Sequence, residues 1–268
     1  MSLLAVVLSV SVAPAAFAAA SILFPTPLHL TRELTNPVSG TKSVVDEYCH
    51  GNRVVSVSGS RTAIADYDKG EITAIDFAAG TYSVTKFADV AAAQGLGRAN
   101  GGVRAESKAA EAWNVSERGG RVVGSRPGVA FEAEQKSATV RQVLHVTADS
   151  QLTLSRAALE ALIGYAYPNA PDASADAVMN MLREHGGHTA GALGKSDAHY
   201  RLPLEHNIRV EAGNDSFEAR NIVMRVGNEL PPAGVLAIPP GAKRVESPIV
   251  AARRELEALD HPAATPHH

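Results

Sequence analysis

Between Arg53 and Phe87 apolar and polar positions alternate with a period of two. Val55 and Val57 alternate with Ser56 and Ser58, and Tyr82 and Val84 with Thr81, Ser83 and Thr85. Asp68-Lys69-Gly70 and Ala78-Ala79-Gly80 interrupt the runs, each closing on the residue that tolerates positive φ. Alternation broken by short Gly-bearing turns predicts antiparallel hairpins with one buried face. Leu28 to Leu34 alternates in the same way and predicts an earlier strand, stopped by Asn36-Pro37. Phe87 to Ala93 is short and Ala-rich and predicts a helix. Residues 94–102 are rich in Gly, and 103–113 are rich in Ala and charge without a period, so 94–113 reads as a mobile connection or flap.

Strand patterns return at Val129–Glu134 and Val140–Val146, with Leu144 and Val146 on one face. The period then changes. Ala157, Ala158, Leu159, Leu162 and Ile163 follow helical spacing. A second helix opens at Pro171-Asp172, carries Val178, Met181 and Leu182, and stops at Gly186-Gly187. Ile208 and Val210 then lead to a turn at Gly213-Asn214-Asp215. In the return strand the apolar phase slips from Phe217 and Ala219 to Ile222, Met224 and Val226, and a bulge near Arg220-Asn221 would restore one buried face. Val235–Ile238, between two proline pairs, predicts an edge strand. Ser247-Pro248 predicts the start of a last helix. Helices set between two strand blocks, with no repeat and no polar linker, predict a single α+β domain over 21–262 and a frayed tail at 263–268.

The N-terminal end changes the compartment. Leu3 to Val12 is a nearly unbroken apolar run, followed by Ala16-Phe17-Ala18. Residues 1–20 therefore read as a secretory signal peptide. The run is short of the roughly 20 apolar residues of a membrane-spanning helix. The mature chain is expected to be exported, periplasmic or extracellular, without a transmembrane segment. A net charge of −3 and 5% aromatic residues supply neither a basic surface nor stacking platforms for nucleic acid. Cys49 is the single cysteine, so no intrachain disulfide forms. Between Tyr48 and His50 it reads as a small strand residue rather than a reactive thiol.

Candidate chemistry is sparse. His185, His188, His199 and His206 fall close together with Asp197 among them, and His185, His188 and His199 with Asp197 could supply nitrogen ligands and a carboxylate to zinc. Such a site would make the protein a metal-dependent hydrolase, although the spacing lacks the His-Glu-x-x-His helix. Gly194-Lys195-Ser196 has Thr189 where a phosphate loop needs its first Gly. No Gly-x-Ser-x-Gly elbow is present. Asp66, Asp68, Glu71 and Asp76 flank turns, where carboxylates are ordinarily solvated. Trp113, the single Trp, reads as a packing residue beside the 94–113 segment. No catalytic residue and no cofactor is expected.

Two stretches carry a family resemblance. Arg53-Val54-Val55-Ser56-Val57 through Tyr82-Ser83-Val84, and the closing Leu236-Ala237-Ile238-Pro239-Pro240-Gly241-Ala242, resemble the LolA-like group of extracytoplasmic proteins. The resemblance implies a curved, incompletely closed antiparallel sheet, a half-barrel, with helices packed on its concave face. It also implies a carrier of lipids or lipoproteins between membranes. An unclosed curved sheet leaves an apolar face that something must cover, and a cleft between sheet and helix suits a greasy ligand. By apolar phase, Tyr82, Val84, Leu144, Leu162, Ile163 and Met181 are the expected lining. The expected function is an exported, non-enzymatic binding or carrier protein for an apolar or amphipathic ligand or a lipidated partner. The alternatives are the zinc hydrolase and an envelope assembly factor without a small-molecule site.

Overall fold

Strand pairing begins with β1 (Phe24–Thr35) and β2 (Lys42–Gly51), which are antiparallel neighbours. The computed structural model describes residues 22–37, 39–100, 113–137, 139–166, 172–183 and 199–260. The expected signal peptide at 1–20 and tail at 263–268 lie outside these residues. The alternating stretch folds as the expected meander: β3 (Arg53–Ser58), β4 (Arg61–Asp66), β5 (Glu71–Asp76) and β6 (Thr81–Lys86). Gly70 and Gly80 turn the chain at φ of 62° and 61°, which a side chain with Cβ resists. Helix α1 (Phe87–Asn100) follows, so the first part of the expected 94–113 connection is helical, while 101–112 lies outside the described residues.

The second half adds β7 (Asn114–Val123), β8 (Arg126–Lys136) and β9 (Val140–Ser155), then α2 (Arg156–Ala166) and α3 (Asp172–Leu182). The closing hairpin is β10 (His199–Ala212) and β11 (Asp215–Gly227). Two residues, Lys243–Arg244, form β12 parallel to β6, and α4 (Pro248–Asp260) ends the described chain. Among the described residues all twelve strands form one sheet, in the order β12-β6-β5-β4-β3-β2-β1-β11-β10-β9-β8-β7. Every pairing except β12 with β6 is antiparallel, and the two ends of the order do not pair. The fold is thus α+β, built on one large unclosed sheet.

Pairing register assigns each residue to a face. Leu30 and Arg32 of β1 share a face with Glu47 and Cys49 of β2, Val54 of β3, Asn221 and Val223 of β11, and Leu144 and Val146 of β9. This is the helical face. Leu28, Leu30, Cys49 and Val54 join Leu162 of α2 in one buried apolar cluster. Leu144 and Val146 join Leu159 of α2 and Val178 and Met181 of α3 in a second. Trp113 packs against the second cluster. Burial pushes the Cys49 thiol up from its ordinary range, which suits an inert packing residue. Helix α4 lies on α1, where Arg253 Nη1 donates to Asp89 Oδ1 at 2.7 Å.

Strand β7 turns the sheet back on itself. Residues of β7 and β11 come within 8 Å, Cα to Cα. Four strand spacings separate them in the order, about 19 Å in a flat sheet. Register puts Arg121, Gly128, Thr147 and Glu205 on the face opposite the helices, and Arg121 Nη2 reaches Glu205 Oε2 at 2.9 Å. The β7–β8 end therefore rolls toward that opposite face. Its turn abuts β11, since a Cβ on Gly124 would lie 3.3 Å from the Met224 carbonyl oxygen.

Two expectations need correction. Val235–Ile238 is not a strand: Ala233–Val235 is a single 3₁₀ turn in which the Val235 N–H donates to Pro232 O. The prolines enforce that turn, and edge pairing with β6 falls instead to Lys243–Arg244. The bulge is at Met224, between residues facing Thr31 and Arg32, rather than at Arg220-Asn221. Pairing with β10 holds Asn221 in register up to Ile222, so the slip is deferred to the β1 side, where Met224 is exposed.

Candidate functional site: a buried polar centre

The helical face is apolar over most of its width, apart from Ser83 and Thr85 near the β6 edge, and carries buried charge at its middle. Arg32 on β1, Glu47 on β2, Asn221 on β11 and His206 on β10 stand on four consecutive strands of the sheet. Their exposures are 1%, 3%, 5% and 6%. Arg32 Nε donates to Glu47 Oε2 at 2.5 Å, and Nη1 donates to Asn221 Oδ1 at 3.3 Å. Alternation places them there: Leu28, Leu30, Arg32 and Leu34 share one phase of β1, as Val45, Glu47 and Cys49 do on β2. Burial, then the nearby Arg32 charge, lowers the His206 pKa to about 3, so its ring is neutral near pH 7.

The centre has unspent hydrogen-bonding capacity. Asn221 Nδ2 is buried without a hydrogen-bond partner among the described residues, and so is Ser56 Oγ on β3, directly across from Glu47. Leaving such a group unpaired costs about 1–3 kcal/mol. The Arg32–Glu47 pair is neutral as a unit. Its surroundings therefore suit an uncharged acceptor, such as a carbonyl or ester oxygen, better than a second carboxylate.

The expected lining residues divide between the two faces. Leu144, Ile163 and Met181 meet in the second apolar cluster, and Leu162 belongs to the first. Tyr82 and Val84 do not join them. Register through β2–β6 puts Val84 in line with Thr73, Ile64, Val55 and Tyr48, on the opposite face. Val84 instead lines an open pocket of about 400 Å³ with Arg244, Val245, Glu246, Ser247 and Val250.

Of the expected metal ligands, His199 is exposed at the start of β10, across from Ser155, while His185, His188 and Asp197 lie outside the described residues. Among the described residues no group of three His, Cys, Asp or Glu side chains is placed to hold a metal. The turn carboxylates serve the meander. Asp66 pairs with Arg53, Asp76 with Arg61 and Glu71 with Lys86, each across neighbouring strands. Asp68 accepts from Asn52 Nδ2.

The sequence reading missed Arg32, Glu47 and Asn221, and it counted His206 only within the histidine cluster. One signal was available: a charge in the apolar phase of an alternating strand, which marks a buried ion. Among the described residues no helix is long and apolar enough to cross a membrane. No family model and no curated protein matches the chain. Among solved structures it is similar to one of PNGF-II in a C2 crystal form, at 6% identity and a TM-score of 0.34 over 87% of this chain. The chain spans 33% of that protein's length.

Proposed function

We propose that the protein is an exported carrier of the LolA-like kind, which holds an apolar or amphipathic ligand between sheet and helices. The apolar part rests against the Leu144–Ile163–Met181 and Leu162 surfaces. The polar part takes the donors around Arg32. The observation that carries this reading is the polar centre itself, whose Asn221 Nδ2 and Ser56 Oγ are buried without partners in the midst of an apolar, helix-covered face.

In this reading α2 and α3 plug the concave side of a half-barrel. Tyr67, in the β4–β5 turn, donates its hydroxyl to the Ala161 carbonyl of α2 at 3.0 Å, while α2 also packs on β9 and β10. β4 and β10 are five strand spacings apart, about 24 Å in a flat sheet. The 11 residues of α2 extend about 16 Å. Bending of the sheet toward the helix brings both within reach. Both helices are short, as suits a cover that opens.

The test is native mass spectrometry of the full chain before and after organic extraction, followed by titration with a fluorescent acyl ester. The expected result is a bound mass that extraction removes, and saturable probe binding weakened at least about tenfold by Asn221→Leu. An acyl chain carried by a partner polypeptide would appear as a co-purifying protein rather than a small mass. A chain free of ligand and partner that also fails to bind the probe overturns the proposal.

A further inference from the structure

One stretch of the chain crowds its large apolar side chains onto the surface. Leu230, Leu236, Ile238 and Val245 are 57%, 42%, 43% and 44% exposed, while the other exposed large apolar residues are spread along the chain from Ile22 to Met224. Leu230, Leu236 and Ile238 belong to the segment 228–242, which joins β11 to β12, and Val245 directly follows β12. The 3₁₀ turn within the segment, Ala233–Val235, buries none of its residues. An apolar surface of this density marks a place that meets something else.

The shape of the segment is set locally and at its two ends. Glu229 Oε2 lies 3.0 Å from His29 Nδ1 on β1. At the other end Lys243 N–H donates to Gly80 O at 2.9 Å and Val245 N–H to Tyr82 O at 2.8 Å. Between them Val235 N–H donates to Pro232 O, Leu236 N–H to Ala233 O and Ala242 N–H to Pro239 O. Pro231, Pro232, Pro239 and Pro240 fix φ at four further positions. The apolar side chains are thus held outward before any partner arrives, and docking orders little additional backbone.

The charges of the stretch narrow the partner. Glu229 pairs with Arg225, and Glu246 accepts from Arg254 Nη1 at 2.8 Å. Lys243 and Arg244 are both exposed, and among the described residues neither has a carboxylate partner. With both acids neutralised, two uncompensated cations stand beside Val245. Residues 228–246 hold no Tyr, Trp, Phe or Met, the side chains that enrich protein interfaces, and Lys is depleted from such interfaces. Exposed aliphatic side chains beside unpaired Lys and Arg fit instead the boundary of an anionic bilayer, where apolar groups meet acyl chains and cations meet phosphates.

We infer that residues 230–245 dock the protein on an anionic lipid surface: Leu236, Ile238 and Val245 enter the headgroup region, and Lys243 and Arg244 meet lipid phosphates. Each cation strengthens attachment by about fivefold at such a surface, and the aliphatic side chains supply the remainder. The docking surface goes beyond the carrier reading, and either holds without the other.

A polarity-sensitive fluorophore on the full chain tests the docking. Cys49 is buried, so Ala237→Cys, at an exposed position, takes the label selectively, and Ser60→Cys in the exposed β3–β4 turn serves as the control. Vesicles of phosphatidylcholine with about 30% phosphatidylglycerol should shift the emission at position 237 to the blue and leave position 60 unchanged. Leu236→Ser with Ile238→Ser should raise the lipid concentration needed for the shift by at least about tenfold, and so should Lys243→Gln with Arg244→Gln. All four side chains are exposed, so these variants keep the fold. Pure phosphatidylcholine should bind the parent chain as weakly as mixed vesicles bind the charge variant. A label at position 237 that stays in water on bound vesicles, as attachment through residues 1–20 alone would leave it, overturns the inference. So does a shift unchanged in both double variants, or one that appears without lipid as protein concentration rises, which would make a second copy the partner.

Discussion

Arg121 on β7 grips Glu205 on β10 at 2.9 Å, although β8 and β9 stand between them in the sheet. The contact exists because the β7–β8 end rolls over the face opposite the helices. Arg220 of the neighbouring strand also donates to Glu205, through Nη2 at 2.9 Å. The three groups are unequal. The Glu205 side chain is 6% exposed, whereas those of Arg121 and Arg220 are 49% and 41% exposed and can be solvated without it.

Removal of the two ends of this contact should therefore differ in effect. Arg121→Ala leaves Glu205 paired with Arg220 and should cost no more than about 1 kcal/mol, with faster amide exchange along β7. Arg121 and Arg220 together changed to Ala should cost about 3–5 kcal/mol, because a buried carboxylate is then left without a cation. Urea unfolding of the single and double variants measures both. A double variant no worse than the sum of the singles would show that the carboxylate is solvated by another route.

The Arg32–Glu47 pair invites a similar comparison with a different outcome. Arg32→Ala strips the buried Glu47 of its guanidinium and should destabilise the fold by about 3–5 kcal/mol. Replacing both, Arg32→Met with Glu47→Leu, leaves no buried charge and should recover most of that loss. If the centre serves only packing, the double variant keeps every property of the parent chain. If it serves a ligand, the double variant folds and the acyl-ester probe no longer binds, as measured by fluorescence titration.

Much of the architecture was legible because the meander alternates in short runs closed by Gly-bearing turns, although both of its faces carry buried residues. Val54, Ala65 and Ile72 pair across β3, β4 and β5 on the helical face, and the Gly70 and Gly80 turns fix the register of the meander. Strand β7 was not legible. Asn114 to Val123 is largely exposed and carries two arginines and two glycines, so no buried phase marks it. Strand β2 hid for a related reason: its buried phase includes Glu47, which breaks the apolar pattern at the position that matters most. The separation of Val84 from Leu144 was out of reach too. Which face a residue takes depends on counting register through β1, β2 and β11, including the bulge at Met224, and period-two alternation in isolated strands does not transmit that count.

Gly128 has a steric task. A Cβ there would lie 2.7 Å from the Ala148 carbonyl oxygen and 2.8 Å from Thr147 Cγ2. β8 thus approaches β9 more closely than any side chain permits. Gly128→Ala should cost about 1–3 kcal/mol through forced displacement of the β9 backbone, read as a lowered urea midpoint with an unchanged m-value.

His206 sets the acid limit of the fold. Its folded pKa is lowered to about 3 by burial and by Arg32, whereas an unfolded imidazole titrates near its ordinary value of 6.5. Between those values the unfolded chain binds a proton that the folded chain refuses. Stability therefore falls as the pH falls through this window, by at most about 1.4 kcal/mol per pH unit, and the loss ends where the folded ring also protonates. His206→Gln removes the titrating group but keeps a polar side chain. The difference in unfolding free energy between the parent chain and His206→Gln should be largest near neutrality and shrink steadily toward pH 4. Urea titrations at intervals of about one pH unit measure it directly, and parallel curves would mean that the folded ring takes up its proton over the same range as the unfolded one.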